Sequence, residues 1–170
     1  MFSGVHIHLL VNHAPIFGSV FAFCLLVVSY FGAPNVFRRT AFVILIITAI
    51  AGIVADKTGE PAEDAIRGYP GVKRQIIHDH EDMAEKAWKL AAVLGVVSIG
   101  ALFRWRRRPI PNGVTVAMVL GTAFVGGAMI YTGLLGGRIR HTEIRPGATD
   151  ADAVVIEPRR ARPPGAAPRE

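Results

Sequence analysis

Histidines enter this chain where it is least polar. The opening stretch Gly4–Ile16, GVHIHLLVNHAPI, sets His6, His8 and His13 into a segment with no Lys, Arg, Asp or Glu before Arg38. An unpaired imidazole is unfavourable in hydrocarbon, so each ring there needs a partner, a cavity or a bound ion. The other histidines, His78, His80 and His141, flank later apolar runs. Two neutral imidazoles from facing helices bind a b-type haem iron axially, with the porphyrin slotted between helices against small residues. Their shared depth at the span ends makes His13, the deepest, with His80 or His78 the expected axial pair, and His141 or His8 the reserve. Copper or zinc would instead draw on His6, His8, His78, His80 and His141 beside Asp79 or Glu81. Hydrogen bonding from helix to helix, with no cofactor, is the third use of the same rings.

The elements that must position these rings follow from the apolar runs. The chain has 170 residues, 51% of them hydrophobic, and a positive mean hydropathy. Charge-free runs cover 1–37, 40–55, 90–103 and 109–137. With snorkelling flanks, each reaches the roughly 17–25 residues that cross about 30 Å of hydrocarbon. The expectation is an all-α integral membrane four-helix bundle over 1–144, with helices near 7–32, 39–56, 82–104 and 111–137 and a loop over 57–81. Within that loop Pro61–Ile66 reads as a short helix with Pro in its first turn. The first apolar run is expected to stay in the mature protein, since no basic residue precedes it and no small-residue cleavage site follows closely.

The two short connections, Gly32–Arg39 and Arg104–Pro109, contain arginines and no acid. By the positive-inside rule they lie in the cytoplasm, which places both termini, the 57–81 loop and all six histidines on the outer, periplasmic side. Helix four carries Gly121, Gly126, Gly127, Gly133, Gly136 and Gly137, and helix three Ala84, Ala87, Ala91, Ala92 and Gly95. Such residues serve either a porphyrin slot or close helix packing. Trp88, Trp105 and Tyr131 read as interfacial anchors. Cys24 is the only cysteine, so there is no disulfide framework and no c-type haem attachment pair.

The net charge of +6 resides at helix ends and in the tail, without interleaved aromatics, and so points away from nucleic acid. No phosphate loop or nucleophile triad appears, which excludes the ordinary hydrolase and nucleotide-enzyme signatures. From 145 to 170 the chain is rich in Pro, Arg, Ala and Gly and reads as an extended arm that docks on a partner subunit, with Val154–Ile156 as its apolar point.

Val11–Ile16, VNHAPI, resembles the Val-His-Phe-Pro-Ile opening of a family of small bacterial four-helix predicted membrane proteins of unknown function. Gly126–Gly133, GGAMIYTG, is similar to that family's last-helix Gly-x-Leu-Val-Tyr-x-x-Gly. The likeness runs over most of 5–140 and departs at Ala14, where the family has an aromatic. It implies a four-helix fold, marks His13 and places the chain in a bacterial inner membrane, but implies no activity. Together these readings give a multi-pass membrane subunit of a respiratory or photosynthetic electron-transfer complex holding haem b near the outer face. The alternatives are a cofactor-free accessory subunit of a larger membrane complex, or a copper- or zinc-binding membrane protein. In each the bilayer and other membrane subunits are the partners.

Overall fold

The computed structural model describes residues 3–149. They form six α-helices, α1 (Gly4–Val11), α2 (Ala14–Val28), α3 (Pro34–Lys57), α4 (Gly59–Ile66), α5 (Arg74–Arg104) and α6 (Asn112–Arg140), then a 3-10 turn at Thr142–Ile144. No strand occurs among the described residues. Four segments are long and apolar enough to cross a membrane: α1 with α2, α3, α5 and α6. This is a multi-pass membrane protein.

The helices run up and down around a ring in which α2 touches α3, α3 touches α5, α5 touches α6 and α6 returns to α2. Why they pack this way is written in the spacing of their buried positions. Along α6 these are Thr115, Met118, Thr122, Val125, Met129 and Thr132, and along α2 Pro15, Ser19, Ala22 and Leu26. Alternating steps of three and four produce a narrow seam of the left-handed coiled-coil kind. Large apolar side chains such as Phe17, Phe21, Ile47, Val96, Leu120 and Phe124 point outward instead. That inversion suits lipid, where helices associate through small residues and tight contact rather than by burying oil from water.

Glycine sets the closeness. A Cβ at Gly95 would lie 2.8 Å from the Ala49 Cβ, and one at Gly133 2.8 Å from the Ile16 Cδ1. The seam hydroxyls of Ser19, Ser29, Thr48, Thr115 and Thr132 donate back to carbonyls of their own helices. Such bonds let a polar side chain sit in a lipid-embedded core.

Several boundaries differ from the sequence expectation, and three of the differences have a local reason. The first span is interrupted at Asn12–His13, because Pro15 has no N–H to continue the ladder and the chain kinks to accommodate it. Next, α3 begins at Pro34 rather than near 39, with Ala33 before it in the left-handed region at φ 40°; a residue ahead of Pro is pushed out of the right-handed helix. Finally, α5 begins at Arg74, eight residues before 82, so His78 and His80 are helical rather than loop residues. The short helix expected at Pro61–Ile66 is α4, and α1 lies across it with the Gly4 Cβ position 3.0 Å from the Pro61 Cβ. Of the tail read over 145–170, the part from 150 onward lies outside the described residues.

The close approach at Gly95 is directly testable. Gly95→Ala must push α5 away from the Ala49 Cβ and is expected to destabilise the bundle by about 1–3 kcal/mol. Gly100→Ala, with nothing within 4 Å, should not destabilise it. Unfolding titrations in mixed detergent micelles compare the two variants.

Candidate functional site

The ends of α1, α3, α5 and α6 that meet around α4 bring the histidines to one end of the bundle. Only two of the rings turn inward. His80, half-buried on α5, places Nδ1 3.0 Å from the Thr132 carbonyl on α6. His8, half-buried on α1, places Nδ1 3.0 Å from the Ala55 carbonyl on α3, with the Thr58 Oγ1 at 3.3 Å. A carbonyl oxygen only accepts, so in both rings Nδ1 carries the proton and Nε2 is left with the lone pair of a neutral imidazole.

The seat of His80 is built by its neighbour. A Cβ at Gly136 would stand 3.0 Å from the His80 Cε1 and 3.3 Å from its Nδ1, so the ring rests on bare α6 backbone. One turn earlier, Thr132 bends its own hydroxyl to Ala128 and leaves its carbonyl to the imidazole. On the other side, Thr58 closes α3 by donating to the Val54 carbonyl while touching His8. Nearby, the Trp88 indole donates to Asp56 at 3.0 Å and ties α5 to α3.

The remaining histidines do other things. His13 is exposed at the kink, at the N-cap position of α2 without a capping side-chain bond, and its Nδ1 is hydrogen-bonded to the Asn12 side chain. His6 is exposed and 2.7 Å from the Ser3 hydroxyl. His78 is exposed on α5, 3.8 Å from Asp82, and lines an open cleft of about 400 Å³ with Glu63, Arg67 and Glu81. His141 pairs with Glu143 at 2.8 Å beyond the end of α6. The backbone N–H of Glu143 itself and the His141 ring hold that carboxyl below the usual range.

The rings expected as an axial pair, His13 and His80, thus have different surroundings, one on the bundle surface and one between helices. His8, the expected reserve, is the other half-buried ring, held against α3 where His80 is held against α6. Among the described residues, no three or more His, Cys, Asp or Glu side chains gather closely enough to hold a metal ion. Of the last-helix glycines, Cβ positions at Gly121, Gly126 and Gly133 face Leu94 at 3.0 Å, the Ser19 Oγ at 3.6 Å and the Ile16 Cδ1 at 2.8 Å, while Gly127 is open. Comparison with protein-family models, curated proteins and solved structures finds no match. The resemblance in the first and last spans therefore rests on those short motifs alone.

Sequence reasoning could not find Ala55 and Thr132, because a backbone carbonyl acceptor has no residue signature. Gly136 did carry a signal, being one of the last-helix glycines, but its partner is visible only in three dimensions.

An inward ring clasped to the next helix should matter more than an outward one. His80→Ala is expected to destabilise the bundle by about 1–3 kcal/mol through the lost bond and the space left over Gly136. His141→Ala should stay within about 0.5 kcal/mol of the parent. Thermal unfolding of the purified variants in one detergent checks the contrast.

Proposed function

We propose that this chain is an accessory subunit of a larger membrane assembly, and that its inward histidines clasp helices rather than carry a cofactor. The observation that carries this reading is that both inward rings end on backbone carbonyls of a neighbouring helix, His8 on Ala55 and His80 on Thr132. The covered glycine seams add to it, since their small residues are used by helix contact. The part of the chain outside the spans is short, which suits a role beside other subunits.

A second reading has its own supporting observation. A ligand histidine commonly donates one ring N–H to a carbonyl, which fixes the tautomer and aims the other nitrogen at the metal. His8 and His80 each donate Nδ1–H to a carbonyl in that way, which leaves Nε2 unprotonated in the neutral ring. In this reading they hold haem b, or copper or zinc, within a respiratory or photosynthetic electron-transfer complex. A haem would make the subunit a carrier of single electrons, with the two rings as axial ligands.

Absorbance spectra separate the two. Under the accessory reading, the full-length protein purified from its native membrane in mild detergent shows no Soret band and no dithionite-reduced haem bands, and elemental analysis finds no stoichiometric copper or zinc. It also migrates in native gels of solubilised membranes at a size well above that of the monomer. A reduced haem spectrum lost in both His8→Ala and His80→Ala would overturn this reading and establish the second. Monomer migration with a featureless spectrum would overturn both.

The proposed setting is a bacterial inner membrane, with the histidine end outside and the arginine-bearing connections in the cytoplasm. In a Cys24→Ser background, an impermeant thiol reagent applied to spheroplasts is expected to label Glu60→Cys and not Asn35→Cys. Labelling of Asn35→Cys alone would invert the topology.

A further inference from the structure

The end of the bundle away from the histidines has its own chemistry. Arg38, Arg39, Arg104, Arg106, Arg107 and Arg108 gather there, and no Asp or Glu occurs in 32–55 or 90–140 to pair with them. Two of the six are used internally. Arg38 is buried and donates to the Ile110 carbonyl and the Asn112 Oδ1, each at 2.7 Å. Arg39 donates to the Trp105 and Arg108 carbonyls, holding the turn between α5 and α6 from beneath. The other four are exposed on that turn. Arg104 lies over the Trp105 ring at 5.6 Å and Arg106 over the Phe103 ring at 5.2 Å. A guanidinium laid on an aromatic face keeps its N–H edge for a planar or tetrahedral oxyanion.

The depth of this cluster is set by what adjoins it. Phe103 is 72% exposed and Phe31 85% exposed, and large apolar rings at the tips of membrane helices reside in acyl chain and interface. The arginines beside them are therefore level with the headgroup phosphates rather than far out in solution. Basic clusters immediately flanking transmembrane helices attract anionic lipid, each Lys or Arg contributing about 1 kcal/mol.

We propose that the α5–α6 turn, braced by Arg39, is a binding site for the phosphate headgroups of anionic phospholipids, with Arg104, Arg106, Arg107 and Arg108 as the phosphate-facing residues. This assignment is independent of whether the opposite end holds a cofactor. The bracing matters because a turn already fixed by Arg39 loses little freedom when a headgroup arrives, so the arginine charges act as a set.

The test uses the full chain in neutral detergent, titrated with phosphatidylglycerol or phosphatidylcholine and read by native mass spectrometry of bound lipid. Phosphatidylglycerol is expected to bind at least about tenfold more tightly than phosphatidylcholine. R106Q/R107Q/R108Q should abolish that preference, and K57Q/K73Q, at the other end, should keep it. Should the triple variant fail to insert, R107Q alone is expected to weaken phosphatidylglycerol binding about fivefold. Equal binding of the two lipids, or an unchanged preference in both arginine variants, would overturn the proposal. Displacement of phosphatidylglycerol by an equal concentration of inorganic phosphate would also overturn it, by showing a site for free anions.

Discussion

Arg38 brings a permanent positive charge to a position only 5% exposed, and among the described residues it pairs with no carboxylate. Its guanidinium donates to the Ile110 carbonyl and the Asn112 side chain, reaches the Ser29 Oγ at 3.3 Å and lies 5.5 Å from the Tyr30 ring centroid. Those partners belong to the end of α2, the turn after α5 and the start of α6, so one side chain fixes three of the four spans against α3. A buried charge without acceptors is strongly unfavourable, and here neutral dipoles supply the acceptors. Asn35 and Arg39 extend the same face of α3. Asn35 accepts the Ile110 N–H at 3.1 Å, and Arg39 takes the carbonyls before it. Residues at 35, 38 and 39 are neighbours on a helix surface, and together they close the loop ends.

Once those ends are fixed, the seam can be made of very small side chains. Ala22, Ala41, Ala87, Ala91, Gly95 and Ala101 supply little dispersion individually, so their contribution depends on helices approaching closely along their whole length. At the far end the approach is held by a related device, an imidazole rather than a guanidinium reaching a carbonyl. Between the two clamps, Ser98 Oγ and Thr122 Oγ1 are buried without a hydrogen-bond partner in the structure. They mark where the seam is least satisfied. The back-bond to the carbonyl four residues earlier that Thr48 and Thr115 make is not made there.

The spans were legible in the sequence because hydrocarbon imposes length and excludes charge, and those are properties of a run rather than of a contact. The same reasoning took Arg38 and Arg39 for topological markers in a loop. It had no means of seeing that Pro34 starts the helix early enough to put them on its first turns. The histidines show the limit more sharply. His13 stands out in the sequence beside Pro15, yet the proline that makes the segment recognisable also kinks the helix and leaves His13 at the surface. His8 looked secondary because His13, five residues further into the span, lies deeper. The kink lets α1 lean over α4, and that brings His8 to Ala55 and Thr58. Side-chain spacing predicts a face only while the helix continues, and here it does not.

The two clamps differ in one respect that governs how the ends can behave. A guanidinium remains protonated under any condition in which the protein is folded, so the arginine end keeps the same donors and the same charge. An imidazole does not. When neutral, His8 and His80 each donate through Nδ1 and present a lone pair at Nε2. Thr58 and the Ala55 and Thr132 carbonyls are placed to receive Nδ1, not Nε2. The arginine end is therefore a fork of donors spread over several partners, whereas the histidine end rests on single Nδ1 donors, each fixed to one carbonyl of a neighbouring helix.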